Sequence, residues 1–414
     1  MSAIADPSLA AAGQARIDWA DAQMPVLRSI TERFAREHPL AGVKVGACLH
    51  VTSETANLVR TLRAGGAEVA LCAPNPLSTQ DDVAAALVDR YDAEVHAING
   101  EDMDAWAAHV VAVAAGEPQI TLDDGADLVT ALHAQGKPPG GATEETTTGL
   151  VRLRRLEAEG ALECPVIAVN EAFTERAFND RHGTGQSAID GIVRATNLLL
   201  AGRTFVVIGY GWTGQGVALR AKGLGAQVVI CEVDPLRALE AVMEGYQVLP
   251  VAEAARVGEV FVTVTGNRDA LTVEHLEAMR PGAIVANAGH FDLEIDVAGL
   301  RQAATAATEV RPGAVAYQRP GDAGRVVVLA EGRLVGQACA EAHPAEVMDL
   351  TFATQALAVE LLATTTDPLP AGVHPVPAAV DERVARHKLA AIGVRCDDLT
   401  AAQKGYLRGR RLGT

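Results

Sequence analysis

Val206-Val207-Ile208-Gly209-Tyr210-Gly211-Trp212-Thr213-Gly214-Gln215-Gly216 carries the strongest structural signal in the chain. A short apolar run feeds a GxGxxG turn, and residues 217–224 behind it suit a helix. A second apolar run, 227–231, ends in Glu232. That order predicts a βαβ dinucleotide-binding unit. Gly209 permits the tight turn, Gly211 lets backbone approach a pyrophosphate, Gly214 allows close helix–strand packing, and Glu232 accepts ribose hydroxyls. Trp212 and Thr213 are the expected cofactor contacts inside the turn. Val233, Asp234 and Pro235 follow Glu232, so no arginine meets a 2′-phosphate and NAD is expected rather than NADP. The motif sits at mid-chain, which leaves the first half of the protein for another task.

A chain of 414 residues is too long for one core and implies two or three domains. Its formal charge of −17 argues against nucleic acid as a partner, the basic tail 404–411 being the local exception. The six cysteines (48, 72, 164, 231, 339, 396) show neither CxxC nor zinc spacing and read as free thiols of a reducing compartment. No apolar run reaches the roughly 18 residues of a membrane span, and residues 1–13 lack a signal-peptide pattern. A cytoplasmic protein with no membrane partner is expected.

Ahead of the glycine turn, strand-like and helix-like segments alternate. Strands are expected at 43–49, 68–72, 94–97 and 119–122, with helices at 55–65, 81–91 and 104–115. This rhythm predicts a first doubly wound α/β domain with functional groups at its strand C-terminal ends. The run 135–143 reads as a punctuating loop, and a helix over 185–200 leads into the cofactor unit. Later strands are expected at 260–264, 283–287 and 325–329. A Pro-rich stretch, 367–377, precedes a last helix at 380–392.

Polar clusters fall where strands end: His50 with Thr52 and Glu54, Ser78–Asp81, Asp123-Asp124, Glu144–Thr148, and Gly289–Asp292. Singly, each has a plain structural use, such as a helix cap. Gathered around one cofactor, they point to a shared site. No histidines share ligand spacing on a helix, so no metal is expected.

These residues carry a resemblance along nearly the whole chain. Ile17–Ala20, Met24–Leu27, Cys48–Thr52, Ser78–Asp81, Asp123–Gly125, Glu144–Gly149, Asp190–Thr196, Gly209–Gly216, Ala241–Tyr246, Thr265–Asn267, Gly289–Asp292 and Leu329–Leu334 resemble, in order, the S-adenosyl-L-homocysteine hydrolase family. The resemblance implies two Rossmann-like domains. The substrate domain comprises 1–186 and 343–392, the NAD domain 187–342, and a shortened helical tail 393–414, with hinges near 171–186 and 341–345. It also implies NAD as a resident reagent. A sugar hydroxyl is oxidised to a ketone, the neighbouring C4′ proton is removed, the C5′ substituent leaves, water adds, and the ketone is reduced again.

Carried over by position, Asp124 resembles the C4′ base, and His50 and His290 the acid/base groups near C5′. Glu145 resembles a sugar-hydroxyl ligand, and Thr52, Glu54, Gln80, His343 and Met348 the adenine pocket. Thr146, Thr147, Thr148, Asn267 and Gly289 join the glycine turn as cofactor contacts. The departures cluster. Glu175 stands for a family lysine, Asn179-Asp180 for an Asp-Asn pair, Thr184 for a cysteine and Gly336 for an asparagine, and the chain stops at Thr414 without the family tail that reaches a neighbouring subunit. A glutamate is ordinarily ionised at pH 7, so Glu175 is expected as the base, with Asn179 and Asp180 holding the sugar. The expected reaction is a redox-neutral elimination on an adenine nucleoside, foremost a dehydration such as psicofuranine to decoyinine. The alternatives are hydrolysis of S-adenosylhomocysteine and a non-catalytic NAD-binding regulator. A homo-oligomer, dimer or tetramer, is expected.

Overall fold

A computed structural model describes residues 2–289, 292–321 and 323–408. The first six strands are β1 (Lys44–Cys48), β2 (Glu68–Cys72), β3 (Glu94–His96), β4 (Ile120–Asp123), β5 (Gly141–Glu144) and β6 (Pro165–Ala168). Eight more build a second sheet: β7 (Thr204–Ile208), β8 (Gln227–Cys231), β9 (Gln247–Val248), β10 (Val260–Thr263), β11 (Ile284–Asn287), β12 (Ala306–Arg311), β13 (Ala314–Gln318) and β14 (Arg325–Leu329). The last, β15 (Gly372–Pro375), returns to the first sheet and pairs parallel with β6. The first sheet runs β15-β6-β5-β4-β1-β2-β3, all parallel, and the second β12-β13-β14-β11-β10-β7-β8-β9.

Both sheets read out from a middle strand in two directions, β1 to β3 one way and β4 to β6 the other. The crevice between β1 and β4 is therefore a topological switch point, as is that between β7 and β10, and ligands of open α/β sheets bind at such points. Parallel strands are covered on both faces, which is why they are continuous apolar runs. Phe205, Val206 and Val207 of β7 are fully buried, as are Val260, Phe261 and Val262 of β10. The helix Ala345–Thr364, long and apolar enough by composition to cross a bilayer, is 67% buried over that window and forms part of the first core with Phe352, Ala353 and Ala356. Its buried Asp349 accepts from Leu27 N at 2.8 Å and from Lys388 Nζ at 2.9 Å, fastening it to the start of the helix Pro25–Glu37.

Three expectations change. The loop expected at 135–143 runs into β5, and the Pro-rich stretch contains β15, which tolerates Pro375 because it is the sheet edge. The helix expected at 185–200 ends at Thr196, where Asn197 takes a left-handed conformation (φ 53°). It is preceded without a break by a π-helix, Glu175–Thr184, which spans most of the segment the resemblance marks as a hinge.

Candidate active site

Three neighbouring strands deliver three side chains to the first switch point. Cys48 of β1 lies opposite Asp123 of β4, and Asp123 opposite Glu144 of β5. The residues just beyond these ends, His50, Asp124 and Glu145, therefore converge. His50 Nε2 lies 3.1 Å from Asp124 Oδ2. The Glu145 carboxyl is enclosed against Asp124, and burial first, then the charges of Asp124 and Glu175, raise its pKa well above the ordinary value. Glu145 Oε2 has no hydrogen-bond partner among the described residues, an acceptor left for a ligand hydroxyl.

The acids beside them are scaffold. Asp123 accepts from Leu128 N at 2.7 Å, and burial pushes it up to about 7. Glu144 Oε1 accepts from Gly125 N at 3.0 Å, Thr146 N at 2.9 Å and Thr146 Oγ1 at 2.6 Å, tying the Asp124 loop to the threonine run.

Of the expected adenine set, Thr52, Glu54 and Gln80 come together around Ser53. Ser53 N donates to Gln80 Oε1 at 3.1 Å, its Oγ donates to Glu54 Oε1 at 3.0 Å, and Thr52 precedes the helix Ser53–Ala64 as its cap. His343 is bound to Thr184, Nε2 to Oγ1 3.1 Å, where burial and the nearby His50 push it down to about 4 and keep it neutral. Met348 packs partly buried against the first core.

The π-helix carries the departures. Its wide turn puts Glu175, Asn179, Gly183 and Thr184 on one buried face; such turns are rare overall and frequent at functional sites. Asn179 Nδ2 donates to Glu175 Oε1, and Thr351 Oγ1 to Glu175 Oε2. Burial, reinforced by Asp180 and Asp124, pushes Glu175 up to about 8, and burial raises Asp180 to about 7. That direction runs against the ionised form expected of a glutamate at pH 7. Gly336, where the resemblance expects an asparagine, has no room for a side chain, since a Cβ there would lie 2.7 Å from Ser187 Oγ.

The same π-helix packs on the helix Trp212–Gly223 that opens from the glycine turn. A Cβ on Gly216 would stand 1.9 Å from Arg181 O, and one on Gly185 2.6 Å from Gly216 C. Within the turn, Gly209 has φ +106°, and a Cβ on Gly214 would meet Gly209 O at 2.1 Å. Gly211 differs: its nearest neighbour would be Arg237 Nη1 at 3.5 Å, so the space above its backbone is open for a pyrophosphate. Glu232 accepts from Tyr210 N at 2.6 Å and Val233 N at 2.7 Å, which fixes its carboxylate at the lip of that space. Trp212 meets Phe173 edge-on, ring centroids 6.2 Å apart. The residues present fit an NAD molecule.

Residues 180–342 match the family described as S-adenosyl-L-homocysteine hydrolase, NAD binding domain, and residues 2–139 match S-adenosyl-L-homocysteine hydrolase. The adenosylhomocysteinase of Aquifex aeolicus is 54% identical over 99% of both chains. That of Saccharolobus solfataricus is 51% identical over 99% of both. The S-inosyl-L-homocysteine hydrolase of Methanopyrus kandleri is 50% identical over 100% of this chain and 98% of its own. The chain belongs to the S-adenosyl-L-homocysteine hydrolase family. Its second unit is an NAD-binding Rossmann domain, and NAD is its cofactor.

The other expected hydrolase-family residues fall as follows. Thr146 caps the helix Thr147–Ala158, accepting from Gly149 N at 3.0 Å; Thr147 Oγ1 donates to Asn170 Oδ1 at 2.9 Å, and Thr148 Oγ1 to Thr146 Oγ1 at 3.4 Å. Asn267 is exposed at the end of a loop whose Thr265 and Gly266 amides both donate to buried Glu294, at 2.8 and 2.9 Å. A Cβ on Gly289 would lie 1.9 Å from Glu294 Oε1, so the same carboxylate accounts for that glycine. His290 lies outside the described residues. Sequence reasoning missed Glu294, Thr351 and Arg237. Only Arg237 had a signal, a cation one turn into the helix that follows Glu232.

Proposed function

We propose that this chain hydrolyses the C5′–sulfur bond of S-adenosyl-L-homocysteine, giving adenosine and homocysteine. The observation that carries the reading is the His50–Asp124 pair at 3.1 Å beside the open acceptor of Glu145. NAD, when bound, supplies a hydride acceptor for the sugar hydroxyl that is restored within each turnover. Asp124 removes the C4′ proton, which the neighbouring ketone has acidified. His50 protonates the departing sulfur and then, deprotonated, takes a proton from the incoming water, whose oxygen bonds to C5′. Asp124 returns the proton to C4′. Glu145 Oε2 accepts from a ribose hydroxyl, while Thr52, Glu54 and Gln80 receive the base.

Glu175, Asn179 and Asp180 favour a second reading. A carboxyl where the resemblance expects a lysine fits a sugar of altered hydroxylation, and the same oxidation and elimination with water as leaving group is a dehydration. NAD-loaded protein is to be given S-adenosyl-L-homocysteine, S-inosyl-L-homocysteine and psicofuranine. The products are read with a thiol-specific disulfide reagent and by mass spectrometry. Thiol release from the adenosyl substrate supports hydrolysis, and release from the inosyl compound alone reassigns the base. Loss of one water from psicofuranine without thiol release establishes the second reading. No change in any of the three overturns both.

A further inference from the structure

Glu175 is held from two directions, and one of the two holders lies far away in sequence. Thr351, on the helix Ala345–Thr364, donates Oγ1–H to Glu175 Oε2 across 176 residues of chain, while Asn179 Nδ2 donates to Oε1. Asn179 Nδ2 also reaches Thr351 Oγ1 at 3.3 Å, closing a triangle. Thr351 is 1% exposed and Glu175 2%, so water replaces neither donor. We infer that Thr351 is a positioning residue for the oxidation step, fixing the orientation of the Glu175 carboxyl and favouring its proton-accepting form. This rests on the reading that Glu175 faces the sugar hydroxyl to be oxidised.

The surroundings give the hydroxyl a specific task. Asp180 on the π-helix and Asp124 beyond β4 place negative charge toward Glu175, and Glu175 in turn acts on Glu145 beyond β5. On adjoining elements, Glu171 is engaged by Arg154 and Arg176, and Asp349 by Lys388. With burial and two carboxyls opposing ionisation, the donors from Thr351 and Asn179 are what make a carboxylate attainable. A methyl group in place of that hydroxyl keeps the packing and removes only the bond.

The test compares Thr351→Val, Thr351→Ser and Glu175→Gln as NAD-loaded proteins. Infrared difference spectroscopy follows the protonated-carboxyl carbonyl band across pH, Glu175→Gln identifying the band by its loss. Thr351→Val is expected to move the titration of that band up by about 1–2 pH units. Thr351→Ser is expected to return it, and Thr351→Ala gives the same shift should the valine variant fail to fold. The pH limb for reduction of bound NAD by adenosine moves by the same amount, with adenosine affinity within about 2-fold. A band titrating as in the parent protein in both Thr351→Val and Thr351→Ala overturns the inference. Separately, a Glu175→Gln protein that oxidises adenosine at the parent rate overturns the role of Glu175 itself.

Discussion

Glu175 concentrates the chemistry at the scale of the residue. Its pKa of about 8, against an ordinary 4.5, means that between those values the folded chain keeps a proton the unfolded chain has lost. Stability from this group is therefore greatest at low pH and falls as pH rises from 4.5 toward 8. Glu175→Gln removes that cost, so the cofactor-free variant should melt higher than the parent at pH ~8.5, by ~2 kcal/mol. The gap should close near pH ~5, where both side chains are neutral. Thermal denaturation at the two pH values checks this, and equal melting at both contradicts the assignment. The sequence named Glu175, Asn179 and Asp180 but showed neither the burial that raises the Glu175 pKa nor the opposing Thr351 contact, which comes from the other end of the chain. Thr351 itself was invisible among the apolar residues of its helix.

At the scale of the element, legibility followed periodicity. β2, β8 and β14 lie where the apolar runs put them, and the remaining expected strands differ by a residue or two at their ends. β5 and β15 were lost because glycine and proline dominate their runs, and β12 because it is an exposed antiparallel edge without an apolar face. The π-helix has no compositional signature, yet it joins the two halves of the site. Its packing on the cofactor helix gives a prediction. Gly216→Ala drives a methyl into Arg181 O and should destabilise the protein by about 1–3 kcal/mol while weakening NAD binding. Gly223→Ala on the same helix meets nothing within 4 Å and should bind NAD as the parent does. Denaturant melts and NAD titration of the pair distinguish this from a general intolerance of alanine.

On the scale of the whole molecule, two switch points, one per sheet, supply the two halves of one reaction. The convergence of His50, Asp124 and Glu145 required the strand order β5-β4-β1, which sequence alone left open beyond the rule that sites lie at strand ends. Because the cofactor helix and the π-helix are packed together, NAD binding should raise the melting temperature of the whole chain. At about 100 times its dissociation constant it adds ~2.7 kcal/mol. NADP at the same concentration should do markedly less, since its 2′-phosphate would meet the Glu232 carboxylate. Equal protection by NADP in a thermal-shift series would contradict the role of Glu232.

In the proposed mechanism, resident NAD lets Asp124 exchange a proton that no unactivated nucleoside would release. The most direct measurement is deuterium exchange in heavy water. Adenosine incubated with NAD-loaded protein and then recovered should carry one deuterium at C4′, and the label should vanish in Asp124→Asn. Adenosine recovered unlabelled from the parent protein, with no reduced nicotinamide appearing in the near-ultraviolet, would contradict it.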